Sequence, residues 1–188
     1  MSLGGYGLFM LADRLKNYVA LLASIPLHSL NAVVQAITEV PSGRTIYVAG
    51  NGGSCANAAH LVLHLREVGF RAEDLSGDNV YLTALANDHS YAQIFSNRIR
   101  RYASPNDLLV VISGSGESPN IIMALAEAKR SGLKTLGLLG FGGGMASALC
   151  DVAVTLASWD YGPVEVAHDA CIHLIKELLA DGIDKSGI

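Results

Sequence analysis

The stretch DLLVVISGSGESPN, residues 107–120, constrains the fold more than any other part of the chain. Residues 108–112 are all apolar and leave no polar face. Such a run belongs to a strand covered on both sides, as in a parallel sheet. A Ser/Gly loop follows at once, and then a helix-forming stretch over residues 121–130. A buried strand that feeds a short loop into a helix N-terminus leaves free N–H groups and the positive dipole end facing outward, a setting suited to an anion. Ser113, Ser115 and Ser118 add hydroxyl donors, and Gly114 and Gly116 let the backbone approach a ligand. The loop lacks Lys and Arg, which suits a phosphate monoester better than a nucleoside triphosphate. Taken alone, it also reads as a plain strand-to-helix turn with a serine N-cap.

The rest of the chain alternates in the same manner. Helical periodicity runs over residues 9–39, through Leu11, Leu15, Val19, Leu22, Leu30, Val33, Val34 and Ile37, with Pro26 predicted to split it into two helices. Strands are expected at 44–49, 70–74, 108–112, 135–139 and 152–156. Helices are expected at 56–68, 91–102, 119–131, around 145–149 and at 165–179. This predicts one α/β domain over residues 1–188: a three-layer αβα sandwich, doubly wound in the flavodoxin manner, around a five-stranded parallel sheet. Ligands of such folds sit at the carboxyl ends of the strands, where the Gly-rich loops fall.

Composition narrows the function classes. A hydrophobic fraction of 51% with 16% charged residues fits buried parallel strands plus helix faces covered in an oligomer. No apolar run reaches the roughly 18 residues of a membrane span. The net charge of −4 comes without a basic cluster, which argues against nucleic acid. Cys55, Cys150 and Cys171 form no CxxC pair, the usage of reduced thiols, and the expected location is cytoplasmic.

A second loop of the same kind, AGNGGSCANAAH, follows the first strand. Gly50, Gly52 and Gly53 permit a tight turn, and Ser54 is expected to cap the next helix. Neither the dinucleotide fingerprint nor the P-loop pattern is present. His60 and His64 lie four apart and share a helix face. Glu165, His168 and His173 fall on the last helix. The directions of Glu165 and His173 differ by about 80° at 3.6 residues per turn, so they can converge on one point with the helix of His60.

GNGGS-x-x-x-A-x-H, LTALANDHSYAQIF at 82–95, SGSGESPNIIMALAEAK and the terminal E-x-x-H-x-x-x-x-H occur in one order. Together they resemble the sugar isomerase (SIS) fold and, within it, the phosphoheptose isomerase group, over residues 10–180. The resemblance implies a homotetramer with N-terminal helices packed in the assembly and sites at subunit interfaces. It also implies conversion of sedoheptulose 7-phosphate into D-glycero-D-manno-heptose 7-phosphate for surface polysaccharide. It puts the phosphosugar on Asn51, Gly52, Gly53, Ser54, Ser113, Ser115 and Ser118, with Asp88 on sugar hydroxyls. His60 matches a histidine that can bind zinc, and His173 the catalytic histidine.

Departures from the family pattern are as informative. His64 stands where the family has its catalytic glutamate, and Glu165 where it has glutamine. Val68 and Gly162 replace an arginine and an aspartate. The set His60, His64, Glu165 and His173 suits Zn²⁺ or another borderline divalent ion; the competing reading is a hydrogen-bonded His64–Glu165 pair. Isomerisation through an enediol needs a base, for which His64 or Glu165 is the candidate, and an acid, for which His173 is. Loss of the arginine and aspartate leaves room for another phosphosugar. It also leaves room for a non-catalytic, sugar-phosphate-binding regulatory protein of the branch that associates with the bacterial replication initiator.

Overall fold

In the computed structural model, which describes residues 4–186, five strands form one sheet in the order β2-β1-β3-β4-β5. They are β1 (Thr45–Gly50), β2 (Arg71–Asp74), β3 (Leu108–Ser113), β4 (Lys134–Leu139) and β5 (Val152–Thr155), and every pairing is parallel. The helices are α1 (Gly4–Ala23), α2 (Leu27–Thr38), α3 (Gly53–Glu67), α4 (Asn79–Asp88), α5 (Ile94–Tyr102), α6 (Pro119–Arg130), α7 (Gly144–Leu149) and α8 (Tyr161–Ser186).

Period-two alternation explains the two cores. Ile46 and Val48 of β1, with Leu108, Val110 and Ile112 of β3, face a layer containing Val33, Ile37, Leu61, Leu65, Ile172 and Ile175. Tyr47, Ala49, Leu109 and Val111 point the other way, onto Phe95, Ile99, Ile121 and Leu125. All residues of β3 are buried, the property its unbroken apolar run foretold.

Chain direction across the sheet reverses between β1 and β3, since β2 lies to one side of β1 and β3 to the other. Gly50 pairs with Ile112, so both strands end at the same level and their loops open beside each other at this switch point.

Two expectations need correction. The segment ahead of residue 91 carries a helix, α4, that its pattern does not reveal: only Leu85 is buried and Val80 is 82% exposed. The expected helix 91–102 is a 3-10 turn, Tyr91–Gln93, followed by α5. The split at Pro26 is present, and α1 and α2 meet at 58°. Leu30, Val33, Val34 and Ile37 enter the core, whereas Leu11, Leu15 and Val19 stay exposed along α1. Among the described residues no single helix is long and apolar enough to cross a membrane.

Candidate functional site

A cleft of about 270 Å³ opens at the carboxyl edge of β1 and β3. It is lined by Asn51, Gly52, Gly53 and Ser54 from one loop, Ser113, Gly114, Ser115 and Ser118 from the other, and Tyr161 and Glu165 from α8. The two Ser/Gly loops, 63 positions apart at Gly50 and Ser113, therefore share one cavity. Asp88 is exposed at the end of α4, accepts from the Asn87 amide at 3.1 Å, and does not line the cleft.

Each loop is held from behind. The Ser113 hydroxyl accepts from Gly116 N–H at 3.0 Å, and the Ser115 hydroxyl accepts from Glu117 N–H at 3.2 Å. Gly116 has φ +67 and lies so close to the Gly143 carbonyl that a Cβ there would collide with it. Glu117 accepts from Met145 N–H at 2.8 Å, tying the loop to the start of α7. Ser118 is the N-cap residue of α6, with Pro119 in the first turn, but its side chain makes no capping bond.

Asn51 does something the sequence did not reveal. Its amide donates to Asn120 Oδ1 at 2.9 Å and accepts from Asn120 Nδ2 at 2.8 Å and the Tyr91 hydroxyl at 2.9 Å. Asn51 thus laces the two loops together with its side chain. Ser54 is also placed differently: α3 begins at Gly53, its N-cap is Gly52, and the buried Ser54 lies inside the first turn.

The helices α3 and α8 run side by side in the same direction. The Glu165 carboxylate lies over Gly53, so close that a Cβ at 53 would collide with it. Asn57 Nδ2 donates to the Glu165 carbonyl at 2.9 Å. Further along, His60 Nδ1 is 2.7 Å from Asp169 Oδ1. The rings of His60, His64 and His173 then gather, with centroids 4.4, 4.9 and 5.2 Å apart. One ligand atom from each of the three lies within 4.8 Å of the others.

Glu165, expected in that group, is not in it. Its direction around α8 is compatible, but the eight residues to His173 rise about 12 Å along the axis. The expected His64–Glu165 pair is replaced by a local one: His64 Nδ1 is 2.9 Å from Glu67 Oε2, and this hydrogen bond holds the Glu67 carboxyl below the usual range. His168 faces the sheet, fully buried, and burial pushes its ring down to about 4. It is a neutral core residue. Cys150 and Cys171 are pushed up to about 12 by burial, so both remain thiols.

The imidazole group fits a divalent cation. The His64 Nε2 atom is buried without a hydrogen-bond partner, on a ring packed beside the two others. Three imidazoles are a common donor set for Zn²⁺ and its neighbours, and leave a coordination position open.

Comparison with known proteins agrees with this architecture. The SIS domain family matches residues 16–140. A phosphoheptose isomerase of Trichlorobacter lovleyi is 34% identical over 184 residues, covering 92% of this chain and 93% of that protein. One from Geotalea daltonii is 39% identical over 155 residues, 79% of this chain and 81% of its own. The structure of phosphoheptose isomerase GmhA from Neisseria gonorrhoeae superposes with a TM-score of 0.86 at 24% identity, covering 96% of this chain and all of that one, which establishes the shared fold. With its paired Ser/Gly loops at the switch point of a five-stranded parallel sheet, the chain belongs to the SIS-domain family and, within it, to the phosphoheptose isomerase group.

Proposed function

We propose that the chain is an aldose–ketose isomerase of phosphosugars that converts sedoheptulose 7-phosphate into D-glycero-D-manno-heptose 7-phosphate. The observation that carries this reading is the cleft in which a serine-rich loop and a Gly-rich loop meet one carboxylate, Glu165. The phosphate is assigned to the Ser113–Ser118 loop, where backbone N–H groups and the α6 dipole favour an anion. At the start of α3 the Glu165 carboxylate already occupies that place and would repel a second anion. Gly52, Gly53 and Ser54 then border the sugar chain, which runs between α3 and α8 toward the imidazole group. Asp88 does not line this cleft, so no contact with the sugar hydroxyls is assigned to it within one protomer.

Glu165 is assigned as the base. It takes a proton from C1 of the ketose and returns it to C2 of the enediol, while the hydroxyl proton moves from O1 to O2. His173, the most exposed of the three rings, is assigned as the acid for that hydroxyl proton; it meets the same two carbons as Glu165 when the carboxylate turns from Gly53 along α8 toward the imidazole group. His60, His64 and His173 are the residues that would hold a divalent ion such as Zn²⁺. When bound, such an ion supplies Lewis-acid polarisation of the sugar carbonyl.

The exposed face of α1, with Leu8, Phe9, Leu11 and Leu15 between 60% and 72% exposed, supports a homo-oligomer, for which we favour the homotetramer, acting in the cytoplasm. The test is incubation with sedoheptulose 7-phosphate in D₂O, with and without Zn²⁺, following the C1 protons by NMR. Exchange and appearance of an aldose are expected. No exchange in either condition, with binding retained, would convert the reading to that of a sugar-phosphate-binding protein.

A further inference from the structure

We propose that Asp169 and Glu67 are positioning residues for a divalent cation, each orienting one imidazole so that its Nε2 lone pair faces the centre of the His60–His64–His173 group. This rests on reading that group as a cation site. Each carboxylate approaches an Nδ1 atom: Asp169 Oδ1 to His60 at 2.7 Å, and Glu67 Oε2 to His64 at 2.9 Å. An ionised carboxylate only accepts hydrogen bonds, so each Nδ1 must carry the proton. In a neutral imidazole that leaves Nε2 bare, which is the tautomer a metal requires. The consequence is visible at His64, whose Nε2 is buried and unpartnered.

Asp169 reaches further. Its second oxygen, Oδ2, lies 3.9 Å from His173 Nε2, so one carboxylate on α8 is hydrogen-bonded to the ring on α3 and stands near the one on its own helix. Three neutral imidazoles bring no negative charge to a doubly charged ion. Asp169 and Glu67 supply two such charges through the ring N–H groups, from directly behind the ligands. The Asp169–His60 pairing joins residues 109 positions apart, so that contact is not a by-product of neighbouring positions on one helix.

The experiment uses chelator-treated full-length protein titrated with Co²⁺, following the visible ligand-field bands, and then Zn²⁺ in competition with a chromophoric chelator. Asp169→Ala and Glu67→Ala are each expected to weaken Zn²⁺ affinity about 10- to 100-fold and to shift the cobalt bands. Asp169→Asn, which keeps an acceptor but not the charge, is expected to recover part of that loss. Both side chains are nearly half exposed, 43% and 49%, so thermal midpoints of the metal-free variants should match the parent. Affinity and cobalt spectrum unchanged in both alanine variants would overturn the assignment alone. Parent protein that takes up no cobalt would overturn both the assignment and the cation reading.

Discussion

The side-chain amides of Asn51 and Asn120 exchange two hydrogen bonds, at 2.9 and 2.8 Å, across the space between the loops that follow β1 and β3. Asn120 is 2% exposed and its Oδ1 also accepts from Ile121 N–H at 3.0 Å, so the pair is anchored in the first turn of α6. The width of the cleft is therefore set by side chains that need not touch the ligand.

Asn120→Ala removes both bonds and leaves the Asn51 amide with Tyr91 alone. The expected cost is about 1–3 kcal/mol. For a chain of this size that lowers the thermal midpoint by roughly 2–4 °C per kcal/mol. The KM for the phosphosugar should rise as the loops part, with kcat less affected. Differential scanning calorimetry and steady-state kinetics on one preparation check both.

Gly53→Ala separates stability from activity. Alanine is a better helix former than glycine by up to about 1 kcal/mol, so α3 should not be weakened. Its Cβ, however, would occupy the place of the Glu165 carboxylate. Displacement of a catalytic group by about 1 Å costs on the order of 100-fold in rate. Retained midpoint with kcat/KM lowered to that extent is the expected result.

Ser118→Ala distinguishes a phosphate ligand from a helix cap. The side chain makes no capping bond, so stability should change by less than about 0.5 kcal/mol. A lost hydrogen bond to a charged phosphate is worth about 1.5–3 kcal/mol. Inorganic phosphate should therefore inhibit the variant at least tenfold more weakly, as measured by competition against substrate.

His168 gives a pH dependence with a definite sign. Burial lowers its folded pKa from 6.5 to about 4. The unfolded chain thus binds the extra proton first, and stability from this residue is complete above pH 6.5 and lost as pH falls toward 4. The shift corresponds to on the order of 3 kcal/mol. Urea denaturation at pH 7 and pH 5 should show a smaller difference for His168→Gln than for the parent.

Those parts of the molecule that depend on local pattern were legible in the sequence. The run 108–112 declared a strand buried on both faces, and the Ser/Gly loops declared their place at the sheet edge. Helix α4 was not legible, because an exposed Val80 and a single buried Leu85 give no apolar stripe. Glu165 and His173 were correctly placed on one helix, but angular agreement says nothing about the rise that separates them. Asp169, beside a buried histidine on α8, reads in sequence as an ordinary solvated acid. Its meaning comes from His60, on another helix.

The pairing of α3 with α8 has a consequence for how this site tolerates change. Gly53 meets Glu165, His60 meets Asp169, and His64 approaches His173, each contact one step further along two rods that advance together. A point substitution alters a single rung and leaves the others standing. Insertion of one residue ahead of His60 would turn everything beyond it by about 100° and undo the later rungs at once. Chemistry can therefore drift rung by rung in such proteins while the spacing between the rungs is kept.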